Sequence, residues 1–284
     1  MKSLLILGLL SISLVLSSCQ EVVNVDLEEG PERLVVEGGI EKAKHFSSGY
    51  QRIRLSTTAA YFSNGGTPPA SGAMVRVLDE KGNVFTFNES EQYPGLYETD
   101  QLIASLNQVY TLEIEFRGDT YRAQEKLQPV APIDSIYQYF VEESLFDEEG
   151  IRVRIDFTDP GDEENYYLWQ QFQDGETFID PNPGTKWSII ASDEFYNGTR
   201  VIGREPNEEM IYEPGQKALI RQMAITRQAY DYLFLLFDQS GSGGPFSTPP
   251  VTIRGNVQNI TNPDRYALGY FLAAEVDEAE LVIR

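Results

Sequence analysis

From Arg33 to Pro129 the chain repeats one kind of segment: a short run rich in β-branched and aromatic residues, then a polar or glycine-containing break. These runs recur at roughly ten-residue intervals, and none has the apolar spacing of a helix. "MVRVLDEKGNVFTF" (74–87) is the sharpest case. Met74, Val75, Val77 and Leu78 lead into Asp79-Glu80-Lys81-Gly82-Asn83, and Val84, Phe85 and Phe87 follow, which predicts a hairpin. "QRIRLSTTA" (51–59) alternates, with Ile53 and Leu55 on one face against Arg52 and Arg54 on the other, and "RLVVEGGI" (33–40) reads as a buried strand with a polar exit. "PGLYET" (94–99) adds a strand, and "VYTLEIEFRGDTYRA" (109–123) adds a second hairpin turning at Arg117-Gly118-Asp119. Such a series predicts a β-sandwich of the immunoglobulin or transthyretin kind.

"LQPVAPIDSI" (127–136) has two prolines and no strong periodicity, so it is read as a boundary between a sandwich domain over 32–128 and a second domain over 129–284. The second domain opens with "IRVRIDFTDP" (151–160), where Val153 and Ile155 alternate with Arg152 and Arg154, and continues with the aromatic strand "NYYLWQQFQ" (165–173). One helix is predicted near 227–239, inside "ITRQAYDYLFLLFDQSG" (225–241), with Thr226 as N-cap and Gly241 as stop. Ala229, Tyr230, Leu233, Phe234, Leu236 and Phe237 spread around its circumference, which predicts a largely buried helix. "RYALGYFLAAEVDEAELVIR" (265–284) reads as two strands around an acidic turn. The expected class is therefore mainly β: a sandwich followed by a second β-rich domain carrying one buried helix.

The N-terminus speaks to location. Met1 and Lys2 precede an apolar run from Leu4 to Leu16, too short to span a bilayer of about 30 Å as a helix. Leu16-Ser17-Ser18-Cys19 matches a bacterial lipobox, so residues 1–18 read as a signal peptide and Cys19 as the acylated first residue of the mature chain. An ordinary secretory peptide with a chance cysteine is the alternative. A lone thiol with no disulfide partner is better explained by acylation, and several acyl chains of the palmitate kind anchor firmly where one does not. Gln20 stands where inner-membrane retention uses Asp, so the outer membrane is expected. Residues 19–31 read as the lipidated tether, ending in Gly30-Pro31.

Charge and residue inventory exclude several functions. Cleavage would remove one of the 22 basic residues and none of the 44 acidic ones, leaving 21 against 44, a formal charge of −23. A chain so acidic is not built to bind nucleic acid. One His and one acylated Cys cannot supply a nucleophilic triad, a structural zinc site or a two-His metal site, and His45 reads as a solvated loop residue. Paired carboxylates would occur by chance on such a surface, so no enzyme activity is expected. In "DPGDEEN" (159–165), Asp159, Asp162 and Glu163 are candidate calcium ligands, although the spacing is not that of an EF-hand and a solvated turn is the other reading. "QSGSGGPFSTPP" (239–250) lacks the Gly-Lys-Ser/Thr end of a phosphate loop and reads as a loop presenting Phe246. Trp169, Trp187 and Phe246 are the candidate ligand contacts, with core packing as the alternative for each.

Several stretches taken in order carry a resemblance: the lipobox cysteine, "RLVVEGGI", "PASGAMVRVLDEKGNVFTF", "VYTLEIEF", "PVAPIDSIY", "NYYLW", "ITRQAYDYLFLLFDQ", "GGPFSTPPVTIRGNV" and "ALGYF". Together they resemble an uncharacterised family of Bacteroidota outer-membrane lipoproteins, described as a domain of unknown function and commonly encoded near TonB-dependent receptors. The resemblance covers nearly the whole mature chain. It implies a non-catalytic lipoprotein that binds a ligand or acts as accessory to a TonB-dependent receptor in nutrient uptake. It supplies no catalytic residues. A surface adhesion or spacer protein is the alternative.

Overall fold

Alternation in the first half becomes strands in the computed structural model, which describes residues 30–59, 66–145, 147–177, 189–240 and 251–284. Within it, Glu32–Ala59 and Ser63–Arg284 make one unit. Strands β1 (Leu34–Ala43) and β2 (Gln51–Thr57) pair antiparallel, with Ile53 and Leu55 fully buried and Arg52 and Arg54 exposed, as the alternation requires. β3 (Met74–Leu78) and β4 (Val84–Glu89) form the expected hairpin, whose turn is closed by Asp79 accepting from the backbone N–H groups of Lys81 and Asn83 at 2.9 Å each. After β5 (Leu96–Thr99), β6 (Val109–Phe116) and β7 (Asp119–Lys126) form the second hairpin. Arg117 and Gly118 at its turn have φ of 48° and 84°, the two positive values that a type I′ turn demands. β4 pairs with β3 along Val84–Phe87 and with β5 at Asn88 and Glu89, so the strand path passes there from one layer to the other. Val36, Ile53 and Tyr97 of the first layer meet Val75, Leu112 and Ile114 of the second, which is the sandwich core.

Beyond the proline-rich stretch come β8 (Ile133–Val141), β9 (Gly150–Thr158), β10 (Tyr166–Gln173), β11 (Glu176–Thr177), β12 (Ile190–Ser192), β13 (Arg200–Arg204) and β14 (Lys217–Ile225). Helix α1 (Arg227–Ser240), β15 (Gln258–Asn259), β16 (Leu268–Gly269) and β17 (Leu272–Val282) complete the order. β14 lies between β10 and β17, and β17 runs parallel to β1, so the large sheet of the sandwich continues into the second half. The three-stranded sheet β13-β9-β8 packs on one face of β10 and β14, where Val153 and Phe157 meet Trp169 and Ile220. α1 packs on the other face, against Met223, Ile225 and Val276. Core residues up to Leu127 and from Val130 onward fall in different clusters, but Val257, Phe271 and Ala273 return to the first.

Two expectations are corrected. The helix begins at its predicted cap, where Thr226 Oγ1 accepts from the Ala229 N–H at 3.2 Å, but it is buried on one face only. Ala229 and Phe237 are buried while Leu235 and Leu236 are 51% and 37% exposed, because only one side of the helix meets the sheet. Gly241, its expected stop, lies outside the described residues. The second correction concerns "AEVDEAE", which is no turn but the middle of the 11-residue strand β17. Its acids are compatible with a strand because each face supplies partners. Glu275 and Asp277, each 2% exposed, accept from the linker backbone, Val130 N–H at 3.0 Å and Ile133 N–H at 2.7 Å. Glu275 also pairs with Lys42 and Lys44, and His45, itself largely exposed, stands 2.8 Å from Asp277. On the opposite face Glu278 and Glu280 pair with Arg221 and Lys217.

β1 and β17 approach closely enough to require glycine. A Cβ on Gly39 would stand 1.8 Å from the Leu272 carbonyl oxygen, its register partner's own backbone. Gly39→Ala is expected to cost about 1–3 kcal/mol, the usual range for overpacking. Thermal unfolding checks this, and an unchanged midpoint would contradict the close pairing of these strands.

Candidate functional site

The half-exposed helix leaves a groove. The helix face carrying Tyr232, Leu233, Leu236 and Gln239 stands over Val35 of β1, Leu268 of β16 and residues 251–253, and together they line an open groove of about 720 Å³. Positions 232, 233, 236 and 239 fall on one side of a helix by its 3.6-residue turn. This volume lies within the range of small-molecule sites, which are mostly apolar with a few placed polar groups. Gln239 closes one end by exchanging two hydrogen bonds with the Val251 backbone, accepting at 3.1 Å and donating at 2.9 Å.

Tyr270 gives the wall its polar anchor. Its ring lies 5.0 Å from that of Tyr232, and its hydroxyl donates to Glu125 Oε2 at 2.6 Å. Asn256 completes the anchor: its Nδ2 donates to Glu125 at 3.2 Å and to the Phe271 carbonyl at 2.8 Å, while its Oδ1 accepts from the Phe271 N–H at 2.9 Å. Glu125 is 6% exposed, and burial raises its carboxyl above the ordinary carboxylate value despite hydrogen bonds from Tyr270 and Asn256. Burial, then the Glu125 charge, also pushes the Tyr270 phenol up, and burial beside Glu37 raises Tyr232.

A raised native carboxyl fixes the sign of a pH effect. The folded protein keeps the Glu125 proton over a range where the unfolded chain has lost it, so this stabilisation is full below the ordinary value of 4.5 and is lost as pH rises through the folded value. Glu125→Gln is therefore expected to flatten the loss of stability between about pH 4 and about pH 8 relative to the parent. Thermal midpoints across that range check it, and an unaltered profile would show that Glu125 titrates as an ordinary acid.

The sequence-derived candidates are placed differently. Trp169 is 2% exposed and lies in the core, with its Nε1 donating to Gln222 Oε1 at 2.8 Å. Cys19, Trp187 and Phe246 lie outside the described residues. Asp159 is buried, accepting from the Tyr167 hydroxyl at 2.5 Å and the Gly198 N–H at 2.9 Å, and burial followed by the Asp193 charge raises its carboxyl. Asp162 and Glu163 are exposed. Among the described residues, no group of three His, Cys, Asp or Glu side chains is arranged to hold a metal ion. No helix among them is long and apolar enough to cross a membrane.

The groove residues escaped sequence reading because Leu233 and Leu236 look like core in a helical pattern, and Val35 looks like buried strand. Only the covering of one helix face distinguishes them. A family model described as Domain of unknown function (DUF4249) matches residues 20–280. No curated protein matches the chain.

Proposed function

The chain belongs to this family of unknown function, and from that premise we propose that it is a non-catalytic binding module of the bacterial outer membrane, tethered through acylated Cys19 and accessory to a TonB-dependent receptor in nutrient uptake. The groove beneath α1 is its ligand seat. The observation that carries this reading is that groove: about 720 Å³ with mainly aliphatic and aromatic walls between a helix and a sheet. The lipobox supports the membrane address, and the order of motifs shared with envelope lipoproteins supports the receptor partnership.

The test is affinity capture of the tagged full chain from detergent-solubilised outer membrane of its own host, with identification of what comes with it. A TonB-dependent receptor enriched over an unrelated lipoprotein is the expected result. Its absence, or a mature chain whose Cys19 carries no acyl group by mass spectrometry, would overturn the reading.

A further inference from the structure

Just beyond the groove, the strand pair that carries its wall residues Val35 and Leu268 runs on. These two residues are partners in parallel register, as are Val36 and Gly269. Side chains two residues apart on a strand share a face, so stepping back two positions on both segments brings Arg33 beside Tyr266 at the end of the groove wall. The Arg33 Cζ lies 3.7 Å from the centroid of the Tyr266 ring. Arg254, the residue after the groove-lining Ile253, holds its Cζ 3.8 Å from the same centroid. Two like-charged planes at that height cannot occupy one face of a ring, so they clasp it from opposite sides.

This cluster stands apart in a chain with 44 acids and 22 bases. Among the described residues neither guanidinium is paired with a carboxylate; Arg33 donates instead to the backbone oxygen of Asp264. Arg254 is exposed and Arg33 half-buried. Guanidinium groups are weakly hydrated and offer several fixed donors to carboxylate or phosphate oxygens. Among the described residues lining the groove the one charged side chain is Glu37, four residues along β1 from Arg33, about 13 Å away, and opposite it across the strand pair stands the exposed Arg54. The groove thus has a pair of cations just beyond one end, with an apolar wall leading to it.

We propose that the groove takes a single-chain amphiphile with an anionic head, the head held by Arg33 and Arg254 and the chain laid along Val35, Leu236, Ile253 and Leu268. The proposal rests on the reading of the groove as the ligand seat.

Titration calorimetry of the full chain with decanoate, decanol and decyltrimethylammonium, each below its micelle concentration, tests this. Decanoate is expected to bind one to one and about tenfold more tightly than either of the others, the factor that a charge-assisted hydrogen bond supplies. The double variant Arg33→Gln, Arg254→Gln is expected to lose that preference while retaining decanol. Arg254→Gln alone, at an exposed position, keeps the test if the double variant fails to fold. Equal binding of decanoate and decanol overturns the anionic head and leaves the groove as a ligand seat. Preference for the ammonium compound overturns the head assignment as well. Failure of all three chains to bind overturns both.

Discussion

Replacing Trp169 with alanine is expected to lower the unfolding free energy by about 3–5 kcal/mol, the range for removing a large aromatic from a packed core. Its ring stacks on Tyr167 with centroids 5.5 Å apart and lies 6.1 Å from that of Phe157, while Arg204 covers its face at 4.4 Å. The loss has a polar part as well. Trp169 Nε1 donates to Gln222, which is fully buried and in turn donates through Nε2 to the Ala131 carbonyl at 2.8 Å. Alanine leaves the Gln222 amide oxygen without this donor, and an unmet buried acceptor costs about 1–3 kcal/mol. Trp169→Phe keeps much of the ring volume and loses the N–H, so it should cost less. Urea unfolding of the two variants separates packing from hydrogen bonding, and a loss below about 1 kcal/mol for the alanine variant would contradict the core placement.

Removing Glu275 should be comparably costly. This carboxylate binds Lys42 Nζ at 2.8 Å, Lys44 Nζ at 3.2 Å and the Val130 N–H at 3.0 Å, so it joins β1, β17 and the linker. Breaking a buried ion pair by deleting one partner costs about 3–5 kcal/mol. Glu275→Leu should fall toward the lower end, because both lysines are about a quarter exposed and can turn to water. Burial by itself would raise the Glu275 carboxyl, but hydrogen bonds from Lys42 and Val130 and the Lys44 charge hold it below the ordinary value of 4.5. Its stabilisation is therefore present above that value and lost as pH falls through the folded one, opposite in sign to Glu125. The penalty of Glu275→Leu in urea should accordingly shrink between about pH 7 and about pH 3. A penalty independent of pH would mean that the carboxylate charge contributes nothing. Adding Lys42→Met and Lys44→Met should return part of the loss by replacing stranded cations with packed side chains.

Local features were legible because their causes are local. The hairpin at 74–87 follows from alternation and a turn whose aspartate caps its own backbone. The start of α1 follows from one hydroxyl three residues ahead of its N–H partner. The acidic run in β17 was misread for the complementary reason. Glu275 finds its partners at Lys42, Lys44 and Val130 and Asp277 at Ile133 and His45, all more than a hundred residues away, and nothing beside them in the chain announces this.

The sequence by itself determined the β-rich class, the sandwich hairpins, the position of helix α1 and the acid excess, since each depends on side-chain period or composition. Tertiary structure alone decided that β17 joins β1 and carries the sheet into the second half, that Trp169 is core, and that one flank of α1 stands over a groove with Arg33, Tyr266 and Arg254 at its end. Those outcomes depend on strand pairing between distant segments, where a half-turn of a helix or a two-residue step along a strand determines whether an apolar side chain is packed or left facing a ligand.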